Sequence, residues 1–184
     1  MFIQTEATPN PATLKFVPGR AVMGTLPPAD FPNAESASVS PLASALFDIE
    51  NVAGVFLGSD FISITKSEGE WQHLKPALLA AIMDHFVAGR PVMQEGASSE
   101  AAASSAEQDP TVHAIIDLID TRIRPAVAQD GGDIVFHDFQ DGIVSLQMRG
   151  ACAGCPSSTA TLKQGIENLL KHYIPEVQEV RAVI

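Results

Sequence analysis

Apolar residues fall into strand-like and helix-like spacings on both sides of one stretch that has almost none. In the first half, Phe2–Glu6 and Thr13–Val17 read as short strands flanking Thr8-Pro9-Asn10-Pro11, a loop stiffened by two prolines. Val52–Leu57 and Phe61–Thr65 are β-rich runs split by Gly58-Ser59-Asp60, which predicts a hairpin. From Trp71 to Val87, Leu74, Leu78, Ile82 and Phe86 recur at i, i+4, the spacing of an amphipathic helix. Gly89 suits its C-cap, and Pro91 stops any continuation.

The second half opens with Pro110 at a helix start and an apolar stripe of Ile115, Ile116, Ile119 and Ile123. Pro125 is placed to kink or divide that helix, and Asp130-Gly131-Gly132-Asp133 to end it. Ile134–Phe139 and Ile143–Met148 follow as strands joined at Asp141-Gly142. In the second of them Val144, Leu146 and Met148 alternate with Ser145, Gln147 and Arg149, giving one buried and one wet face. A turn over Gly150–Cys155 leads to a helix over Ser157–Lys171, with Leu162, Ile166 and Leu169 on one face. Pro175 ends it, and Val177–Ile184 supplies a last strand.

Between the halves, QEGASSEAAASSAEQ contains no aromatic residue, Ile, Leu or Val to bury. The expected organisation is two small α+β domains, 1–93 and 109–184, joined by a flexible Ala/Ser/Glu linker over 94–108. Hydrophobic residues make up 46% of the 184, enough for a core, and formal net charge is −11. Residues 1–93 and 109–184 each carry −4 and the linker −3, so neither domain is a basic arm. A nucleic-acid partner is excluded on this basis, and an anionic lipid surface is disfavoured. No run approaches the roughly 20 apolar residues of a membrane helix. The first residues lack the basic stretch and apolar core of a secretory signal, which leaves the cytoplasm as the default compartment.

The 2 cysteines stand three apart in Cys152-Ala153-Gly154-Cys155. A secreted disulfide framework would use more, spread widely. In a reducing compartment such a pair is a redox dithiol or half of a metal site. It lies between a strand and a helix that begins near Pro156, where the positive end of the helix dipole favours thiolate. A glycine-flanked turn of this kind is a poor place to bury thiols. Closed zinc and iron–sulfur sites take four protein ligands. The five histidines are scattered, so the simplest completion is a homodimer with two thiolates from each chain. Such a shared site would be exposed and labile, as suits a carrier. A dithiol–disulfide oxidoreductase using the same cysteines is the alternative, and a structural zinc dimer is a third reading. The redox reading is weakened because the motif follows a hairpin late in the chain and the one tryptophan, Trp71, lies in the other half.

RPAVAQDGGDI and RGACAGCPSSTATLKQGIENLL make residues 109–184 resemble the NifU C-terminal-like domain. FIQTEATPNPATLKFVPG makes residues 1–88 or so resemble the Nfu-type N-terminal domain. The resemblance implies an iron–sulfur cluster scaffold or carrier and not an enzyme. It implies a 4Fe–4S cluster held between two C-terminal domains, with Cys152 and Cys155 as cofactor and metal ligands in a cluster-bound homodimer. It further implies apo iron–sulfur proteins as acceptors, an upstream assembly scaffold as donor, and partner docking by the N-terminal domain. Because the sequence starts at that domain, a bacterial, cytoplasmic member is expected, with the mitochondrial matrix as the location only after loss of a presequence. Asn10 is the first candidate for a docking contact. His113 is expected on a solvated helix face, and Asp130–Asp133 chiefly as a helix stop.

Overall fold

The structure is a computed structural model that describes residues 1–94, 96, 109–153 and 156–183. It divides into two compact units, Met1–Ser99 and Glu100–Ile184. The expected linker falls largely outside the described residues. The α+β class holds for both units.

The first unit has a five-stranded antiparallel sheet in the order β1-β2-β5-β4-β3. Its strands are β1 (Gln4–Ala7), β2 (Thr13–Val17), β3 (Ala29–Phe31), β4 (Val52–Leu57) and β5 (Ile62–Lys66). One face carries α1 (Pro41–Phe47) and α2 (Trp71–Val87), and Phe16, Leu42, Leu46, Leu57, Ile62, Leu78 and Ile82 meet in its core. Leu74, Leu78, Ile82 and Phe86 are all buried, as their spacing predicts. Strand β3 and helix α1 were not expected, being three and seven residues long. Elements so short show no resolvable period. A local signal for α1 did exist. Ser40 caps it by accepting from the Ala43 N–H at 3.1 Å, with Pro41 in the first turn.

The proline loop is wired to itself. Asn10 is buried, and its Oδ1 accepts from the Ala12 N–H at 3.0 Å. The Thr8 hydroxyl reaches the carbonyls of Asn10 (2.8 Å) and Thr13 (2.9 Å), and Trp71 Nε1–H donates to the Pro11 carbonyl at 3.2 Å. Asn10 thus shapes the turn, with its side chain largely withdrawn from solvent.

Helix α2 also buries His85 completely, and neither ring nitrogen has a hydrogen-bond partner among the described residues. Burial, and then the nearby Arg90 charge, hold its pKa below the ordinary 6.5. As pH falls, the unfolded chain therefore takes up a proton at this residue before the folded chain does. Stability of the first unit should fall as pH drops from 6.5 toward the lower pKa of the folded state. Urea unfolding at pH 7.5 and 5.5 measures the loss, and His85→Leu should reduce it.

The second unit begins with α3 (Pro110–Leu118), a π-helical stretch (Ile119–Ile123) and α4 (Arg124–Gln129). In the π-helical stretch the Arg124 N–H bonds the Ile119 carbonyl, a five-residue step just before Pro125. This widening has a packing consequence. Ile115, Ile119, Ile123 and Val127 are all buried at intervals of four. On a regular helix each such interval drifts by roughly 40°, and the wider turn brings the stripe back onto the core. The sheet has the order β6-β7-β8, with β6 (Gly132–Gln140) antiparallel to β7 (Ile143–Gly150). Strand β8 (Glu179–Val183) is parallel to β7, and α5 (Pro156–Tyr173) makes the crossover that a parallel pair requires. Val144 and Leu146 are buried as the alternation predicts. On α5 the expected face of Leu162, Ile166 and Leu169 packs on the core, with Ile166 buried and both leucines half-buried, and Leu170 adds a further buried residue. No described helix is long and apolar enough to cross a membrane.

Candidate metal centre

The cysteine turn joins the carboxyl end of β7 to the N-terminus of α5. In βαβ units ligands gather at this end, because backbone N–H groups and the helix dipole point there. The turn is built from its neighbours. Gly131, at φ 78°, stops α4, and its carbonyl accepts the Ala151 N–H at 3.1 Å. Gly132 pairs with Gly150 across β6 and β7. The Ala153 N–H returns to the Gly150 carbonyl at 3.1 Å, and the Thr159 hydroxyl reaches the Cys152 carbonyl at 3.3 Å.

Cys152 is 5% exposed and belongs to the core with Ile134, Leu146 and Ile166. This corrects the expectation that a glycine-flanked turn would leave its thiol exposed. The reason is Gly132. A Cβ built there would fall inside the contact radius of Cys152 Sγ, and 3.0 Å from both the Arg149 carbonyl and the Cys152 nitrogen. The thiol thus occupies the space of a missing side chain. Asp130–Asp133 accordingly does more than stop a helix. Cys155, the second expected ligand, lies outside the described residues. Among those described, no three His, Cys, Asp or Glu side chains converge. His113 is exposed on α3, and Arg149 bonds Gln147 Oε1 at 3.0 Å.

Sequence reasoning missed the ion pair beside this floor. Asp133, adjacent to Gly132 and 5% exposed, receives a two-pronged contact from Arg124, Nε to Oδ1 at 2.8 Å and Nη2 to Oδ2 at 3.0 Å. Arg124 also reaches Asp120 at 3.1 Å. Burial alone would lower the Arg124 pKa, but the Asp133 and Asp120 carboxylates raise it above its ordinary value. Removing Arg124 would leave the buried Asp133 carboxylate without its charge partner and so destabilise the unit, whereas Arg124 is half-buried and keeps Asp120 as a second partner. The TRIRP and GGD strings hold both residues, but nothing in their spacing pairs them.

Residues 3–89 match the family model described as the N-terminal domain of scaffold protein Nfu/NifU, and residues 115–181 match that of the NifU-like domain. Both halves of the chain are thus domains of cluster-scaffold proteins. A protein described as "NFU1 iron-sulfur cluster scaffold homolog, mitochondrial" from Drosophila sechellia is 51% identical over all 184 residues. That from Drosophila virilis is also 51% identical over 184 residues. The chain belongs to the Nfu-type iron–sulfur cluster scaffold family. It spans 65% of the length of the first of these relatives and 62% of the second. A solved NifU-like protein from Saccharomyces cerevisiae aligns over 52% of this chain and 86% of its own, at 24% identity and a TM-score of 0.46. The expectation of a bacterial, cytoplasmic protein is corrected here, since these relatives at about half identity are mitochondrial. Where the sequence starts says nothing about compartment in a chain shorter than its relatives.

Proposed function

We propose that this protein carries an iron–sulfur cluster, of the 4Fe–4S type, between two copies of its C-terminal domain and hands it to apo-proteins. The observation that carries this reading is the place of the cysteine pair. It stands at the carboxyl end of β7 and the start of α5, in a chain whose two halves both match scaffold domains. Each chain offers two thiols and a cluster takes four, so a homodimer supplies the full set from Cys152 and Cys155 of both copies. The cluster is cargo. An upstream assembly scaffold supplies it, and acceptor thiolates displace those of the dimer one at a time. Such exchange needs no acid–base or nucleophilic catalyst, so the protein acts as a carrier and not as an enzyme. Residues 1–93 form the docking domain, with 94–108 as a tether to the cluster domain at 109–184.

Ligand count links cluster to dimer. A ligand that binds only the dimer stabilises the dimer by mass action. Apo protein should sediment as monomer or weak dimer, and anaerobic reconstitution should shift it to a dimer with one cluster per two chains. Iron, acid-labile sulfide and sedimentation measured together test this. A colourless monomer that cycles between dithiol and disulfide would instead establish the oxidoreductase alternative.

A further inference from the structure

We propose that Arg124 and Asp133 are positioning residues for Cys152, clamping Gly132 as the floor on which the thiol rests and so keeping it withdrawn until a cluster arrives. Three observations meet at this point. The Cys152 sulfur fills the space beside Gly132 that a side chain would take. Asp133, the next residue, is 5% exposed and held at two oxygens by Arg124, at 2.8 and 3.0 Å. The preceding residue, Gly131, accepts the Ala151 N–H at 3.1 Å, tying the same floor to the turn that carries the thiol. The pair therefore ties the start of α4, at Arg124, to the start of β6, whose Gly132 lies against Sγ. A buried thiol is shielded from oxidants and from stray metals, since both need access to the sulfur. On cluster uptake Sγ leaves Gly132 and exchanges its S–H bond for an S–Fe bond, with the proton passing to solvent.

The proposal rests on Cys152 being a cluster ligand, but its test is read without iron. In the full-length chain carrying Cys155→Ser, Cys152 is the one remaining thiol. Its alkylation by iodoacetamide is timed in buffer and in urea, alongside a urea unfolding curve. The parent should react far more slowly folded than unfolded. Asp133→Asn should raise the folded rate by about tenfold or more through local opening of the floor. Arg124→Lys keeps the charge but loses the fork, and should give a smaller rise. It also carries the test if Asp133→Asn does not fold. Val180→Ala, in β8 and away from the pair, serves as the control for general destabilisation. A folded parent that reacts as fast as the unfolded chain overturns the proposal. So does a clamp variant no faster than Val180→Ala once the two are compared at equal stability. A slow thiol in the Cys155→Ser chain, with the unaltered chain taking up no cluster on reconstitution, defeats the carrier reading and leaves the clamp standing. A fast thiol in the Cys155→Ser chain, with the unaltered chain loading a cluster, defeats the clamp alone.

Discussion

Cys152→Ser and Cys155→Ser should each abolish stable cluster binding and, with it, the shift to dimer. A dimer of either variant keeps only two thiolates, one from each chain. Serine does not replace the missing pair, because its hydroxyl stays protonated and iron–sulfur sites favour soft thiolate. The two variants should differ in stability. Cys152 sits in the core of the second unit, so a serine there buries a hydroxyl where the sulfur packed, at a cost of about 1–3 kcal/mol. Iron and sulfide content per chain, with sedimentation before and after reconstitution, gives the result. Either variant holding a full cluster would place the ligands elsewhere and end the bridged-dimer reading.

Phe16→Ala should destabilise the first unit by about 3–5 kcal/mol while leaving cluster content unchanged. Phe16 is fully buried in β2, which lies between β1 and β5 in the sheet. Truncation removes the packing of a large ring and leaves a cavity that a sheet interior closes poorly. The second unit keeps its own core of Ile115, Ile134, Leu146 and Leu170, none of which belongs to the first. Thermal unfolding should therefore split into an early transition for the first unit and an unmoved one for the second. Iron and sulfide per chain after reconstitution at low temperature should match the unaltered protein. Loss of cluster in parallel with loss of the first unit would show that the two do not act independently.

Long elements with a clear period could be read directly. The stripe Leu74, Leu78, Ile82 and Phe86 gave α2 and its buried face, and the alternation at Val144 and Leu146 gave β7. Both signals are local, because helix and strand geometry fix which residues share a face. The full buried face of α5 was harder to read. Leu162, Ile166 and Leu169 pack on the core as their spacing predicts, but the fully buried Leu170 was added only by the packing of the helix. Asn10 illustrates the same limit in a loop. Its sequence setting allows docking or turn-building, and the hydrogen bond from the Ala12 N–H, which establishes the turn-building role, appears only in the folded loop.

The sequence by itself determined the class of this protein: two α+β halves, and a cysteine pair placed between a strand and a helix start. Those features depend on residues close together in the chain, where covalent geometry limits the outcomes. The parallel placing of β8 beside β7, the burial of Cys152 over Gly132 and the pairing of Arg124 with Asp133 were decided only by the tertiary structure. Each depends on how separate elements pack, and hydrophobic burial, being non-directional, does not specify in advance which side chains will meet. Glycine 132 shows the difference most plainly. In the sequence it is one of two residues able to end a helix, and in the fold it is the space that a thiol fills.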